Sequence, residues 1–405
     1  MSYTGWLALG LALLVSPRGA AADALDEARE AWKADRLQEA LERITPLAEA
    51  SPDDADTIGL RGRIYFDLGR FDESLADMER AKELDAEVWG ELASSMACRV
   101  AFFFADDAKA RALLPTFEPG AVTQALPYLL DPPGLERFQL KKGRYVIYAD
   151  ATLRETKGEV FTARMMELIY DAYSSVFPFD VDERLISRVY VFGKTSTYLR
   201  FSQDAFGTDK SNAAGYYSPS TRVLVVNADP DGARPNDFGF TADAINTLFH
   251  EGFHQFVRFH IPQGVPDWFN EGLAEYFGPS VQSGRKKLKV GVVVKNDANF
   301  VTRYERIHGT LRDHPGSVWS VARFMRQTDE EFDFDGRRSL NYAQSWSIVH
   351  FLIDGMGKQG RKLVKSYFEV LKRGGTPDEA FRVSFGSLNL ERFDKAWRAY
   401  VLEKL

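Results

Sequence analysis

Residues 248–255 read Leu-Phe-His-Glu-Gly-Phe-His-Gln, and residues 268–277 read Trp-Phe-Asn-Glu-Gly-Leu-Ala-Glu-Tyr-Phe. The first stretch carries His-Glu-x-x-His. On a helix, residues four apart share a face, so the imidazoles of His250 and His254 reach one ion while Glu251 projects beside it. Catalytic zinc takes three protein ligands and keeps one position open, so a third ligand must come from another segment. Glu271 is assigned as that ligand. Glu275 follows one helical turn later on the same face and is assigned to accept the free ring N–H of a ligand histidine, fixing its tautomer. Exchange of the two glutamate roles stays open. Glu251 then acts as the base that takes a proton from a water acidified by the ion. The bland alternative is a helix with two packed histidines and a surface glutamate; the second acidic stretch weighs against it.

Glycine inside a helix costs about 1 kcal/mol relative to alanine, so Gly252 implies a close backbone approach, with Phe253 and Phe256 directed into the core. The motif helix is read over 242–259, and the next begins at Val265-Pro-Asp-Trp, where Pro266 sits near an N-terminus and its missing N–H costs little. Upstream, Arg144-Tyr-Val-Ile-Tyr reads as a strand, 160–176 as an amphipathic helix and Arg188-Val-Tyr-Val-Phe as a second strand, which is a β-α-β start. Residues 215–227 read as a hairpin around Ser-Pro-Ser. Its exposed edge is a candidate for binding an extended peptide by backbone hydrogen bonds, against the reading of an ordinary sheet strand. Downstream, 287–294 reads as a short strand, and helices are expected over 318–325, 342–354, 360–371, 377–385 and 390–402. His260, His308, His314 and His350 have no metal-ligand spacing and read as surface or packed residues.

Residues 23–117 read as all-helical and repeat on a shift of 34 residues. Leu37 aligns with Phe71, Ala40 with Ser74, Ile44 with Met78, Leu47 with Ala81 and Pro52 with Ala86. The segment Ile64-Tyr-Phe-Asp-Leu-Gly-Arg-Phe-Asp-Glu-Ser-Leu resembles tetratricopeptide repeats, with Gly69 at the turn between paired helices. A degenerate third unit is read over 88–117. Such repeats bury one another's faces and also serve as docking surfaces for proteins, and both readings stay open. Pro/Gly punctuation at Glu118-Pro-Gly and Asp131-Pro-Pro-Gly marks 118–137 as a linker before a second domain at 138–405, mixed α/β over 138–265 and mainly helical over 266–405.

The chain has 405 residues, is 45% hydrophobic and carries a net charge of −7, enough for a sizeable core and unsuited to a polyanion, so no nucleic-acid partner is expected. Residues 6–15 form an apolar run too short to span a bilayer, followed by Ala20-Ala21-Ala22-Asp23, which reads as a signal peptide over 1–22. The expectation is an exported protein, periplasmic or extracellular, with no transmembrane anchor after cleavage. The single cysteine, Cys98, lies in an apolar stretch and reads as a buried thiol.

Taken together, His250-Glu-Gly-Phe-His and Asn270-Glu-Gly-Leu-Ala-Glu-Tyr resemble the gluzincin metallopeptidases, the clan of thermolysin-like proteases and zinc aminopeptidases, and most of all the peptidase-MA-like domains joined to tetratricopeptide repeats. The resemblance covers about 138–405. It implies an N-terminal all-α repeat region followed by an α+β peptidase domain with a helical C-terminal part. It further implies Zn2+ on His250, His254 and Glu271, Glu275 behind them, and a peptide or protein substrate. The aminopeptidase branch also implies a downstream tyrosine that stabilises the oxyanion, and Tyr342 is similar in placement. The Gly-x-Met-Glu-Asn segment of those aminopeptidases is missing, so recognition of an N-terminal amine is not implied. A binding or scaffold protein that keeps the zinc fold without turnover is the competing class.

Overall fold

The computed structural model describes residues 17–120, 122–177, 182–229, 235–261, 264–298, 300–334 and 336–405. The apolar run of the expected signal peptide lies outside them. Among the described residues there are 19 α-helices and seven strands, and no helix is long and apolar enough to cross a membrane.

The chain forms two compact units, Met1–Gly90 and Glu91–Leu405. In the first, α1 (Pro17–Lys33) pairs with α2 (Leu37–Ala50), and α3 (Ala55–Asp67) with α4 (Phe71–Leu84). The aligned positions Ala40, Ser74, Ile44, Met78 and Ala81 are all buried, as apolar and small positions of packed hairpins must be. The repeat is written most plainly in the turns. Asp35 and Gly69 both adopt left-handed backbone, φ 55° and 73°, and after each the next amide reaches back to close the helix, Arg36 N–H to Ala31 O at 2.9 Å and Arg70 N–H to Tyr65 O at 2.8 Å. This is the glycine-type helix stop, so Gly69 suits the left-handed backbone that Asp35 adopts at some cost. The same turn recurs at Ala105, φ 55°, with Asp106 N–H on Ala101 O, between α5 (Ala86–Phe103) and α6 (Asp107–Leu113). The degenerate third unit is therefore a third helical hairpin.

In the second unit, α7 (Leu126–Leu130) and β1 (Leu135–Gln139) occupy what reads in sequence as a linker. Then come β2 (Tyr145–Asp150), α8 (Ala151–Glu155), α9 (Gly158–Val176), β3 (Ser187–Phe192), α10 (Thr195–Phe206), β4 (Gly215–Ser218) and β5 (Val223–Asn227). The sheet order is β1-β2-β3-β5-β4, with β2, β3 and β5 parallel and both edge strands antiparallel. The three parallel strands are buried along their whole length, the pattern of strands covered on both faces. Ile147, Val189 and Leu224 join the core formed with α9 and the motif helix. Tyr190 and Phe192 turn the other way, toward Phe201 and Tyr198 of α10, and the Tyr190 hydroxyl donates to Leu129 O of α7 at 2.7 Å.

That second face explains why the compact unit begins at Glu91 rather than near 118. Arg188 of β3 is almost fully buried, and its guanidinium donates to Phe102 O, to the Tyr148 hydroxyl at 2.7 Å and to the Asp107 carboxylate. The end of α5 and the start of α6 thus neutralise a charge inside the sheet domain. Asp107→Ala would leave that charge uncompensated and should destabilise the domain by about 3–5 kcal/mol. Equilibrium unfolding in denaturant measures it, and deletion of 23–117 should be at least as damaging.

Helices dominate from there: α11 (Ala242–His260), α12 (Asp267–Phe277), the hairpin β6 (Val281–Gly284) with β7 (Lys287–Lys289), α13 (Arg303–Asp313), α14 (Val321–Phe324), α15 (Asp329–Asp333), α16 (Arg338–His350), α17 (Lys358–Lys372), α18 (Pro377–Phe385) and α19 (Leu390–Glu403). The expected strand over 287–294 is confined to β7, and the expected helix over 318–325 to the single turn of α14. The helix expected over 342–354 starts four residues earlier and widens into a π turn at Phe351–Gly355.

Candidate metal centre

Two helices meet at the site. The Thr241 side chain caps α11 by accepting from Ala244 N–H at 3.2 Å, and Gly252 lets that helix lie flat on α9: a Cβ there would fall 2.9 Å from Met166 Cε and 3.2 Å from the Tyr173 hydroxyl. That tyrosine donates to Phe249 O inside α11. In α12, Gly272 packs against α16 so closely that a Cβ would come within 2.8 Å of Ser345 O. Neither glycine is chosen for helix propensity; each sets the separation of a site helix from its neighbour.

His250 Nε2 and His254 Nε2 lie 3.1 Å apart, and the Glu271 carboxylate reaches them at 3.3 and 3.5 Å. One ligand atom from each residue falls within 4.8 Å of the others, so the three form a group able to hold a metal ion. Two further observations fit a cation. The Glu271 carboxylate is largely buried, an expensive condition for a negative charge unless something positive meets it, and its Oε2 points at His250 Nε2, 3.3 Å away. The Asn270 side-chain oxygen accepts the Nδ1–H of His254 at 3.0 Å, which leaves the Nε2 lone pair facing the other two ligand atoms.

Charge tells the same story. Burial works against a charged His250, but the Glu271, Glu275 and Glu251 carboxylates together outweigh it and raise the imidazole to about 9. Burial likewise opposes ionised Glu271, yet His254, His250 and Tyr342 hold it at about 2. Two imidazoles amid that much negative charge make a pocket suited to a divalent ion.

Glu251 lines a cleft of about 540 Å³ together with His250, Glu275, Arg303, Tyr342 and Gly215. Its Oε2 accepts the backbone N–H of Tyr217 at 3.0 Å, so edge strand β4 orients the carboxylate. Tyr342, at the start of α16, belongs to the same cleft, and burial followed by the Glu271 charge pushes its phenol well above the ordinary range. It stays a proton donor at any physiological pH.

Glu275 stands differently from the sequence expectation. Its Oε1 is 3.8 Å from His250 Nδ1, beyond hydrogen-bond range, and instead accepts from Arg303 Nη2 at 2.7 Å. The residue that bonds a histidine of the group is Asn270. It stands beside Glu271 in the quoted motif, but its role depends on the angle between α11 and α12. Arg303, at the start of α13 behind a Thr302–Glu305 capping box, holds Glu275 and lies 5.0 Å over the Tyr342 ring. No local sequence signal marks it. His350 turns away from the cleft, with its ring nitrogens at 3.0 Å from the Tyr400 hydroxyl and 3.2 Å from Gly291 O.

Residues 244–374, from α11 to just past α17, match a family described as a protein of unknown function (DUF1570). The match holds His250, His254, Glu271 and Tyr342 and leaves out the five-stranded sheet and the N-terminal hairpins. No curated protein matches the chain.

Proposed function

We propose that the chain is an exported zinc-dependent metallopeptidase of gluzincin type with an N-terminal tetratricopeptide-like module that docks a substrate or partner protein. What carries this reading is one observation: His250, His254 and Glu271 converge within 4.8 Å of one another beside a cleft that also holds Glu251 and Tyr342. Two imidazoles and a carboxylate with an open fourth position suit zinc. A zinc ion held by His250, His254 and Glu271 would supply Lewis acidity toward a carbonyl and a water. Glu251, oriented by Tyr217 N–H, takes the water's proton and passes it to the leaving amine. Tyr342 donates its phenolic hydrogen to the oxygen that gains charge as the peptide carbonyl becomes tetrahedral. Arg303 holds the Glu275 carboxylate at 2.7 Å and braces the Tyr342 ring.

The deciding experiment combines metal analysis of the purified protein with a peptide-library cleavage screen, run with and without chelator. The expected result is one zinc per chain and chelator-sensitive hydrolysis. Bound zinc with no turnover favours a binding or scaffold role. His254→Ala should lose stoichiometric zinc, and its retention would remove the ligand assignment. Asn270→Ala should weaken zinc affinity by roughly 10–100-fold, the usual loss when a ligand's orienting partner is removed, measured by competition with a chromogenic chelator.

A further inference from the structure

Strand β4 separates two cavities. Ala213, Ala214 and Gly215 border the metal cleft, whereas Tyr216, Tyr217 and Ser218 border a second pocket of about 270 Å³. Gly215 faces α11, where a Cβ would meet Thr247, while Tyr216 faces α10 and packs on Tyr198 and Phe206. The inward groups of the strand are committed to β5, as in Asn227 N–H on Ala214 O, and the Tyr217 N–H that points outward meets Glu251. An extended peptide laid along that edge would present successive side chains alternately to the metal cleft and to the second pocket.

The pocket has its own chemistry. Its volume falls just below the ~300–1,000 Å³ of small-molecule sites and is ample for one side chain. Lys210 is the charged residue lining it, with its ammonium 4.7 Å over the Tyr216 ring, and no carboxylate lines it among the described residues. The acids nearest in sequence are engaged elsewhere: Asp209 accepts Ser211 N–H at 2.8 Å and Asp204 accepts the Tyr128 hydroxyl at 3.4 Å. In a chain of net charge −7, a pocket walled by Lys210, the hydroxyls of Thr208 and Ser220 and the Gln124 amide is built for a carboxylate.

We propose that this pocket is a specificity subsite which receives the side chain of a glutamate or aspartate in the substrate, one of the residues that alternate away from the metal cleft. The inference rests on the peptidase reading above. Lys210 selects the substrate and takes no part in bond cleavage.

The test is a set of internally quenched peptides in which Glu, Gln and Lys are scanned over four positions on each side of the scissile bond, assayed on the full-length zinc protein and on Lys210→Ala and Lys210→Glu. The expected result is a Glu-over-Gln preference in kcat/KM on the order of fivefold, the weight of one partly exposed ion pair, at positions spaced by two. That ratio should fall to about one in Lys210→Ala, turn to favour Lys in Lys210→Glu, and shrink as salt is raised. Zinc content and the unfolding transition of both variants check that the fold is kept. Cleavage with the same Glu:Gln:Lys ratios in all three proteins overturns the subsite and leaves the peptidase reading standing. Absence of cleavage of every peptide by the zinc-loaded wild type overturns both.

Discussion

Glu251→Gln is expected to keep its fold and its zinc while losing peptide hydrolysis by on the order of 10²–10⁴-fold in kcat, the range that a positioned general base contributes. The substitution isolates proton transfer. The amide oxygen of glutamine can still accept the Tyr217 N–H that now meets Glu251 Oε2 at 3.0 Å, so the side chain should stay in place. It cannot take up a proton from water at neutral pH. Binding of an uncleaved peptide should therefore persist while turnover collapses, measured by steady-state kinetics beside metal content. Equal turnover in wild type and Glu251→Gln would assign the activity to a contaminant or another site, and a non-catalytic binding role would then take precedence.

Tyr342→Phe should lower kcat by roughly 10²–10³ with a much smaller change in KM, as expected when one oxyanion donor is removed. Phenylalanine retains the ring that stacks beneath Arg303 and packs on Phe332, so the loss is confined to the hydroxyl. That hydroxyl is kept protonated by burial and by the neighbouring Glu271 charge. The variant's rate should thus show no new pH dependence between pH 6 and pH 9. An unchanged kcat would make Tyr342 a packing residue at the edge of the core.

Several features of this chain follow from local sequence alone. The pairing of His250 and His254 on one face needs only the helical repeat, and α11 is found over Ala242–His260 where that repeat and a threonine cap put it. The β-α-β start and the hairpin of β4 and β5 are equally local, because apolar runs bounded by turn residues have few alternatives. The short strand β1 and the helices α10 and α13 carry weaker patterns: β1 is a half-exposed edge with a charged middle, and α13 is largely polar. They form because the sheet edge and the α16 surface are there to receive them.

The remainder was decided in three dimensions. Nothing local distinguishes Asn270 from a solvent-facing helix residue, yet the crossing of α11 and α12 makes it the partner of His254. Glu275 is on the expected face, but Arg303, arriving from α13, draws its carboxylate away from His250. The domain limit moved for the same kind of reason. Proline and glycine near 118 mark a change of direction, whereas the buried charge of Arg188 ties Phe102 and Asp107 to the sheet. Periodicity and capping act over one or two helical turns and are written in adjacent residues, so the chain alone determined its strongly patterned elements and the pairing of its two imidazoles. Charge pairing and desolvation act through space between residues far apart in sequence, and only the packed structure decides which of them meet.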